Sequence, residues 1–149
     1  MAWSTTVPAV KAKLTAIFDA ALDITVHNSR GLGSTATKDV LIVGYRSEDV
    51  PAVEGRFTVE IFGANPLRDQ YTVHNRIMVV RGSGDILKAE ARAFAPLAGA
   101  GSTLAADPRL GGLVMLASLG AYSLVPSQTQ QGGDVVLQFD VDIDAQTTV

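Results

Sequence analysis

Ala106-Asp107-Pro108-Arg109-Leu110-Gly111-Gly112 leads into two strand-like runs, Leu113 to Val125 and Val135 to Asp144. Proline cannot continue a helix, and a Gly pair admits the left-handed backbone of a tight turn. The stretch therefore closes a helical segment and launches a hairpin. The last arm of that hairpin alternates: Val135, Leu137, Phe139, Val141 and Ile143 fall on one face, and Gln138, Asp140, Asp142 and Asp144 on the other. A period of two over that length specifies a strand with one face in a core and one in water.

Upstream of the turn, Gly82-Ser83-Gly84-Asp85 punctuates the chain, with Ser83 or Asp85 as N-cap of a helix. Leu87, Ala91, Phe94 and Ala95 are expected to face inward on it, and Lys88, Glu90 and Arg92 outward. Pro96 predicts a kink or break, Gly99 and Gly101 weaken the next turn, and Ser102 is a cap for a restart toward Ala106. Before that helix, Gln70 to Arg81 reads as a long strand, and Phe57 to Phe62 as an alternating one. Gly63 to Asp69 reads as a turn around Asn65-Pro66. Val40 to Tyr45 is a β-branched run of a central strand, and Asp23 to Asn28 a short one. Val7 to Leu22 carries Val10, Leu14, Ile17, Phe18, Ala21 and Leu22 at helical spacing, with Thr6 as N-cap and Pro8 in the first turn.

The expected fold is therefore α+β, a mostly antiparallel β-sheet with two main helices packed on one face, in the order α-β-β-β-β-α-β-β. The 149 residues form one domain over 1–149, with a mobile tail after about Asp144. Ser29 to Lys38, Ser47 to Gly55 and Pro126 to Gly133 read as long loops, the usual carriers of binding.

Composition narrows the function. The formal charge is -3 and no Lys/Arg run occurs, which argues against free-standing nucleic-acid binding. There is no cysteine, which excludes disulfides, a thiol nucleophile and a Cys-based zinc site, and fits a reducing cytosol. Lys11, Lys13 and Asp19 interrupt the first apolar segment, unlike a secretory leader, and no apolar run has the length of a membrane span. Neither G-x-S-x-G nor a phosphate-loop motif is present. His27 and His74 lack a third ligand at recognisable spacing. At Gly82 to Gly84 the following Asp85 opposes an anion, and Gly31-Leu32-Gly33-Ser34 reads as a plain turn. Asp140, Asp142 and Asp144 stand about 7 Å apart in a regular strand, too far for a compact calcium cage. They read as a solvated outer face, or as an acidic surface toward a partner or channel. No catalytic set and no cofactor are expected.

The segment order resembles that of tail terminator proteins of long-tailed, siphovirus-type bacteriophages, especially those infecting actinobacteria. The resemblance lies in Val7-Pro8-Ala9-Val10 opening the first helix and in Asp39-Val40-Leu41-Ile42-Val43-Gly44-Tyr45. It continues through Gly82 to Asp85 before an Ala/Arg-rich helix, and Ala106 to Gly112 before the hairpin. It covers Val7 to Asp144; Pro96 and the Gly99/Gly101 pair depart from a helix the family usually keeps continuous, and Phe57 to Leu67 does not align. The resemblance implies a structural, non-enzymatic virion protein at the tail–neck junction, assembled in the host cytoplasm without a membrane. It implies a ring, commonly of six subunits, that caps the tail tube after the tape-measure protein has set its length. The major tail tube protein and the head-completion or neck proteins are the implied partners, and DNA passes through without specific binding. A ring needs two different patches per subunit. Arg30 and Lys38, with Asn65, Arg68 and Asp69, are candidates for one, and Asp140, Asp142 and Asp144 for the other or for the bore. Competing expectations are a head-closure or connector protein, or a small α+β domain with a ligand pocket between helices and sheet.

Overall fold

In the computed structural model, which describes residues 5–29, 39–47, 49–59, 66–81, 86–129 and 132–148, the order is α1 (Val7–Ala21), β1 (Thr25–Asn28), β2 (Val40–Val43), β3 (Val53–Val59), β4 (Pro66–Arg81), α2 (Ile86–Ala106), β5 (Leu116–Thr129) and β6 (Gly132–Thr148). The expected α+β class and element order are met, with a mostly antiparallel six-stranded sheet. Strand order is β1-β2-β4-β6-β5, and β3 also pairs with β4. Only β1 and β2 are parallel among these pairs.

The 16-residue β4 organises the sheet. One edge is matched by β6 along its whole length, from Pro66 opposite Thr148 to Arg81 opposite Gly133. The other edge changes partner: Leu67–Val73 pairs with β3, and Asn75–Met78 with β2. At the junction the His74 N–H donates to the Ala52 carbonyl and the His74 carbonyl accepts from the Tyr45 N–H, both at 2.9 Å. Asn75 is fully buried there. Its Nδ2 donates to the Val73 and Phe139 carbonyls at 3.0 and 3.2 Å, and its Oδ1 accepts from the Gly44 N–H at 3.3 Å.

The two sheet faces differ as the alternation of β6 requires. On the inner face, Tyr71, Val73, Ile77 and Val79 of β4 join Val135, Leu137, Phe139, Val141, Ile143 and Ala145 of β6. Val10, Leu14 and Phe18 of α1 and Ala89, Ala93, Ala100 and Leu104 of α2 complete the same core. The space between helices and sheet, where a ligand pocket was considered, is thus filled by apolar side chains.

Several boundaries differ from expectation. β6 continues through Thr148 in place of a mobile tail after Asp144, because β4 begins at Pro66 and supplies ladder partners for Ala145 to Thr148. The same early start removes part of the turn expected over Gly63 to Asp69. β3 lies at Val53–Val59, several residues before the expected Phe57 to Phe62, and so occupies part of the polar connection. Pro126 and Ser127, expected in a loop, pair with Val135 and Asp134. Proline is tolerated because, among the described residues, β5 pairs on one side only, with β6. Thr6 makes no side-chain cap; its hydroxyl shares a 2.9 Å hydrogen bond with Tyr71.

The largest departure is α2, which is helical without a break through Pro96. An interior proline costs about 3 kcal/mol, but Pro96 belongs to the buried stripe Ala89, Ala93, Pro96, Ala100 and Leu104, so packing offsets the missing bond. Gly99 and Gly101 also serve packing: a Cβ at Gly99 would meet Leu22 Cδ2 at 2.4 Å, and one at Gly101 would meet Leu119 Cδ1 at 3.0 Å. The helix is rolled relative to expectation, with Leu87, Ala91, Phe94 and Ala95 exposed.

The turn after α2 behaves as its sequence dictates. Leu110, Gly111 and Gly112 take φ of 50, 71 and 89° in succession, and the Gly111 N–H donates to Asp107 Oδ1 at 3.1 Å. Leu110 accepts a conformation unfavourable for a side chain because that side chain is driven into the core, only 2% exposed.

Candidate functional site

The outer sheet face, opposite the helices, is built from alternate residues of β3, β4, β6 and β5. Strand register sets it out in rows: Arg56, Gln70, Asp144 and Leu116 in one, and Glu54, Thr72, Asp142 and Ser118 in the next. His74 lies opposite Asp140, and Arg76 opposite Gln138 and Ser123.

Three of the expected acidic residues are engaged by β4. Arg68 grips Asp144 with two bonds, Nε to Oδ1 at 3.1 Å and Nη2 to Oδ2 at 2.6 Å. This hydrogen bonding lowers the Asp144 pKa, aided by the guanidinium charge and opposed by burial. Thr72 Oγ1 donates to Asp142 Oδ1 at 2.9 Å. His74 Nδ1 lies 2.6 Å from Asp140 Oδ1, and its Nε2 lies 3.4 Å from Glu54 Oε1. Farther along, Arg46 and Gln138 exchange bonds at 3.4 and 3.3 Å, and Arg76 Nη1 donates to the Arg46 carbonyl at 3.1 Å. The acidic stripe is therefore interleaved with cations and hydroxyls and is no free-standing negative surface.

Asp69 is placed differently. It lies on the inner face, 3% exposed, and accepts from Thr5 Oγ1 at 2.6 Å. It anchors the start of α1 beside Tyr71, whose pKa is pushed up to about 12, chiefly by burial, with Thr6 lowering and Asp69 raising it. That position removes Asp69 from the expected interface patch, because the turn expected there is strand. Arg30, Lys38 and Asn65 lie outside the described residues, as do the Gly31 to Ser34 and Gly82 to Asp85 turns. The structure thus unites Arg68, Asp140, Asp142 and Asp144 on one face.

A surface depression of about 330 Å³ runs over Arg56, Gln70, Thr72, Leu116, Ser118 and Asp142. It presents amide, hydroxyl and charged groups, among them the Thr72 hydroxyl hydrogen-bonded to Asp142. Among the described residues no three His, Asp or Glu side chains gather as metal ligands. No helix among them is long and apolar enough to cross a membrane.

A second surface was not foreseen. Leu87, Phe94 and Tyr122 are 72, 37 and 64% exposed, and Phe94 meets Tyr122 edge-on with ring centroids 6.2 Å apart. Met115, Leu116 and Val125 are also exposed, Leu116 and Val125 on the outer sheet face. A bulge between Leu119 and Tyr122 sets Gly120 and Ala121 against Asp140 and returns Tyr122 to the helix side, opposite Phe139. Gly120 admits Asp142: a Cβ there would lie 2.5 Å from Asp142 Oδ2. The sequence does carry a signal for this surface. From Ala93 to Gly133 the only charged residues are Asp107 and Arg109, which leaves the exposed side of α2 beyond Arg92 and all of β5 without the charges that normally mark a solvated face. Exposed apolar residues grouped this way mark interaction sites.

No protein-family model matches the chain, and no curated protein sequence is significantly similar to it.

Proposed function

We propose that this chain is a structural ring subunit that caps the tail tube of a long-tailed bacteriophage, ends its polymerisation and offers a surface for head joining. One observation supports an assembly role above others: the partly apolar surface formed by the exposed side of α2, uncharged beyond Arg92, and the uncharged strand β5, with Leu87, Phe94 and Tyr122 in water in the single chain. Such a surface is costly to leave solvated and gains free energy when a partner covers it, at about 25 cal/mol per Å² of apolar area. The segment order described above supports the tail-terminator assignment within that class.

The test is partner choice. Purified protein is mixed separately with polymerised tail tubes and with portal complexes, and bound particles are imaged. Binding at tube tips, with arrest of further tube growth, is the expected result. Binding to the portal complex alone would instead make the chain a head-closure or connector protein, and binding to neither would remove it from the neck.

A further inference from the structure

We propose that His74 is a proton-operated clasp for β3: as an imidazolium it bonds Asp140 of β6 and Glu54 of β3 at once, and loss of one proton loosens β3 from the sheet. The ring lies between two carboxylates on different strands. Its Nδ1 is 2.6 Å from Asp140 Oδ1, and its Nε2 is 3.4 Å from Glu54 Oε1. An ionised carboxylate only accepts hydrogen bonds, and a neutral imidazole carries one N–H. The short contact claims that proton for Nδ1, so in the neutral ring the Nε2 lone pair faces the Glu54 carboxylate. His74 is 6% exposed, and its Nε2 is buried with no hydrogen-bond partner among the described residues. A proton on Nε2 converts the opposed pair into a charge-assisted bond. Two acceptors around one ring are both served only by its charged form.

Register names the other groups around the ring on the outer face. On β4, Thr72 and Arg76 flank His74, and on β6, Gln138 and Asp142 flank Asp140. On β3, Arg56 stands one row beyond Glu54, opposite Gln70. Past Asp140, the bulged Gly120 and Ala121 of β5 bring no charge. Tyr45 and Arg46 follow β2. Of these, Thr72 bonds Asp142. Arg76 is drawn to the Arg46 carbonyl at 3.1 Å and lies 5.8 Å from the centre of the Tyr45 ring. Asp140 and Glu54 are the carboxylates in ion-pair range of the imidazole.

β3 is the element this clasp controls. It pairs with β4 over all seven of its residues, yet every residue after Val53 is exposed. Elements with few buried contacts open at low free-energy cost. The clasp sits at the head of the ladder, where the His74 N–H donates to the Ala52 carbonyl just before β3. Ring and backbone of one residue thus fasten the same end of the strand. The β4–β6 ladder, paired along its whole length, does not depend on the ring.

Histidine changes charge between about pH 5 and pH 8. Hydrogen exchange of the amides of residues 53–59, corrected for intrinsic exchange, is therefore compared at about pH 5.5 and about pH 8, with the β4–β6 amides as reference. The imidazolium contribution is present at the acid end and lost as pH rises. β3 should be about three- to fivefold better protected at the lower pH, the scale of one partly solvated ion pair, while the reference changes little. Glu54→Gln should abolish the difference, because its uncharged amide donates to the neutral Nε2. The Glu54 side chain is 58% exposed, so this variant leaves the core untouched. His74→Gln should flatten the profile as well, with His27 on β1 then the one histidine in the chain; if that chain is too unstable to measure, Glu54→Gln decides. Equal β3 protection at both pH values in the parent, an equal change in the β4–β6 reference, or the parental difference retained in Glu54→Gln would each overturn the proposal.

Discussion

Replacing Asn75 should destabilise the fold through one identifiable loss. Asn75 stands where β4 exchanges β3 for β2 along one edge, so regular ladder bonding is interrupted there. Its amide spans the gap with two donated bonds and one accepted bond. Leucine has the same branched skeleton with bulkier methyl groups, so Asn75→Leu leaves no cavity and removes every polar contact, with some overpacking added to the loss. The buried Gly44 N–H loses the partner at Asn75 Oδ1, at a cost of about 1–3 kcal/mol. Each of the two carbonyls loses one bond, a smaller cost of about 0.5–1.5 kcal/mol apiece. Burying two more apolar atoms returns part of this, so a net loss of about 3 kcal/mol is expected. For a domain of this size that lowers the melting temperature by roughly 6–12 °C. Urea unfolding followed by circular dichroism measures it, with Ser118→Ala on the exposed outer face as a control within about 0.5 kcal/mol. A midpoint for Asn75→Leu indistinguishable from that control would refute the assignment of Asn75 as the bridge between the two half-edges.

Gly55→Ala should separate β3 from β4, because the new Cβ would meet Tyr71 Cβ at 2.4 Å and the Gln70 carbonyl at 2.7 Å; hydrogen exchange should show protection lost in residues 53–59 while the β4–β6 ladder persists. Asp144 has a depressed pKa in the fold, so its contribution is present above its unfolded pKa and is lost as pH falls through the folded value. Both partners are partly solvated, which limits the pair to about 1 kcal/mol or less; carboxyl titration by NMR should show the Asp144 pKa rising in Arg68→Met. Tyr71 is raised from 10.0 to about 12, so its share of stability is intact below pH 10 and is lost as pH climbs from 10 toward 12. Stability curves of the parent and Tyr71→Phe should converge in slope below that window and diverge within it.

Local chemistry made much of this fold legible. The Ala106 to Gly112 stretch could only end a helix and turn, and its left-handed Leu110, Gly111 and Gly112 do so. The period of two in Val135 to Asp144 assigned the buried face of β6 residue by residue, and the spacing of Val10, Leu14 and Phe18 assigned that of α1. Helix α2 was less legible because most of its residues are small or apolar, so that two different stripes satisfy a helical period. Proline and glycine normally interrupt helices, yet here Pro96 and Gly99 lie against the core and against Leu22. Of the proposed site residues, Arg68, Asp140, Asp142 and Asp144 share one face because register places β4 beside β6. Asp69 shares β4 but lies on its other side, a consequence of the strand starting at Pro66.

The sequence by itself determined the class of fold, the order of elements and which side of β6 meets the core, since these follow from periodicities and turn chemistry within a few residues. Tertiary structure alone decided that β4 would serve two strands on one edge, that the acids of β6 would be matched by Arg68, Thr72 and His74, and that Leu87, Phe94 and Tyr122 would stay in water. Those outcomes depend on register and on the roll of α2, which are fixed by contacts between residues far apart in the chain. The inner side of α2 is lined largely by the small residues Ala89, Ala93 and Ala100, which let the helix approach the sheet closely, while Leu87 and Phe94 are left for another surface.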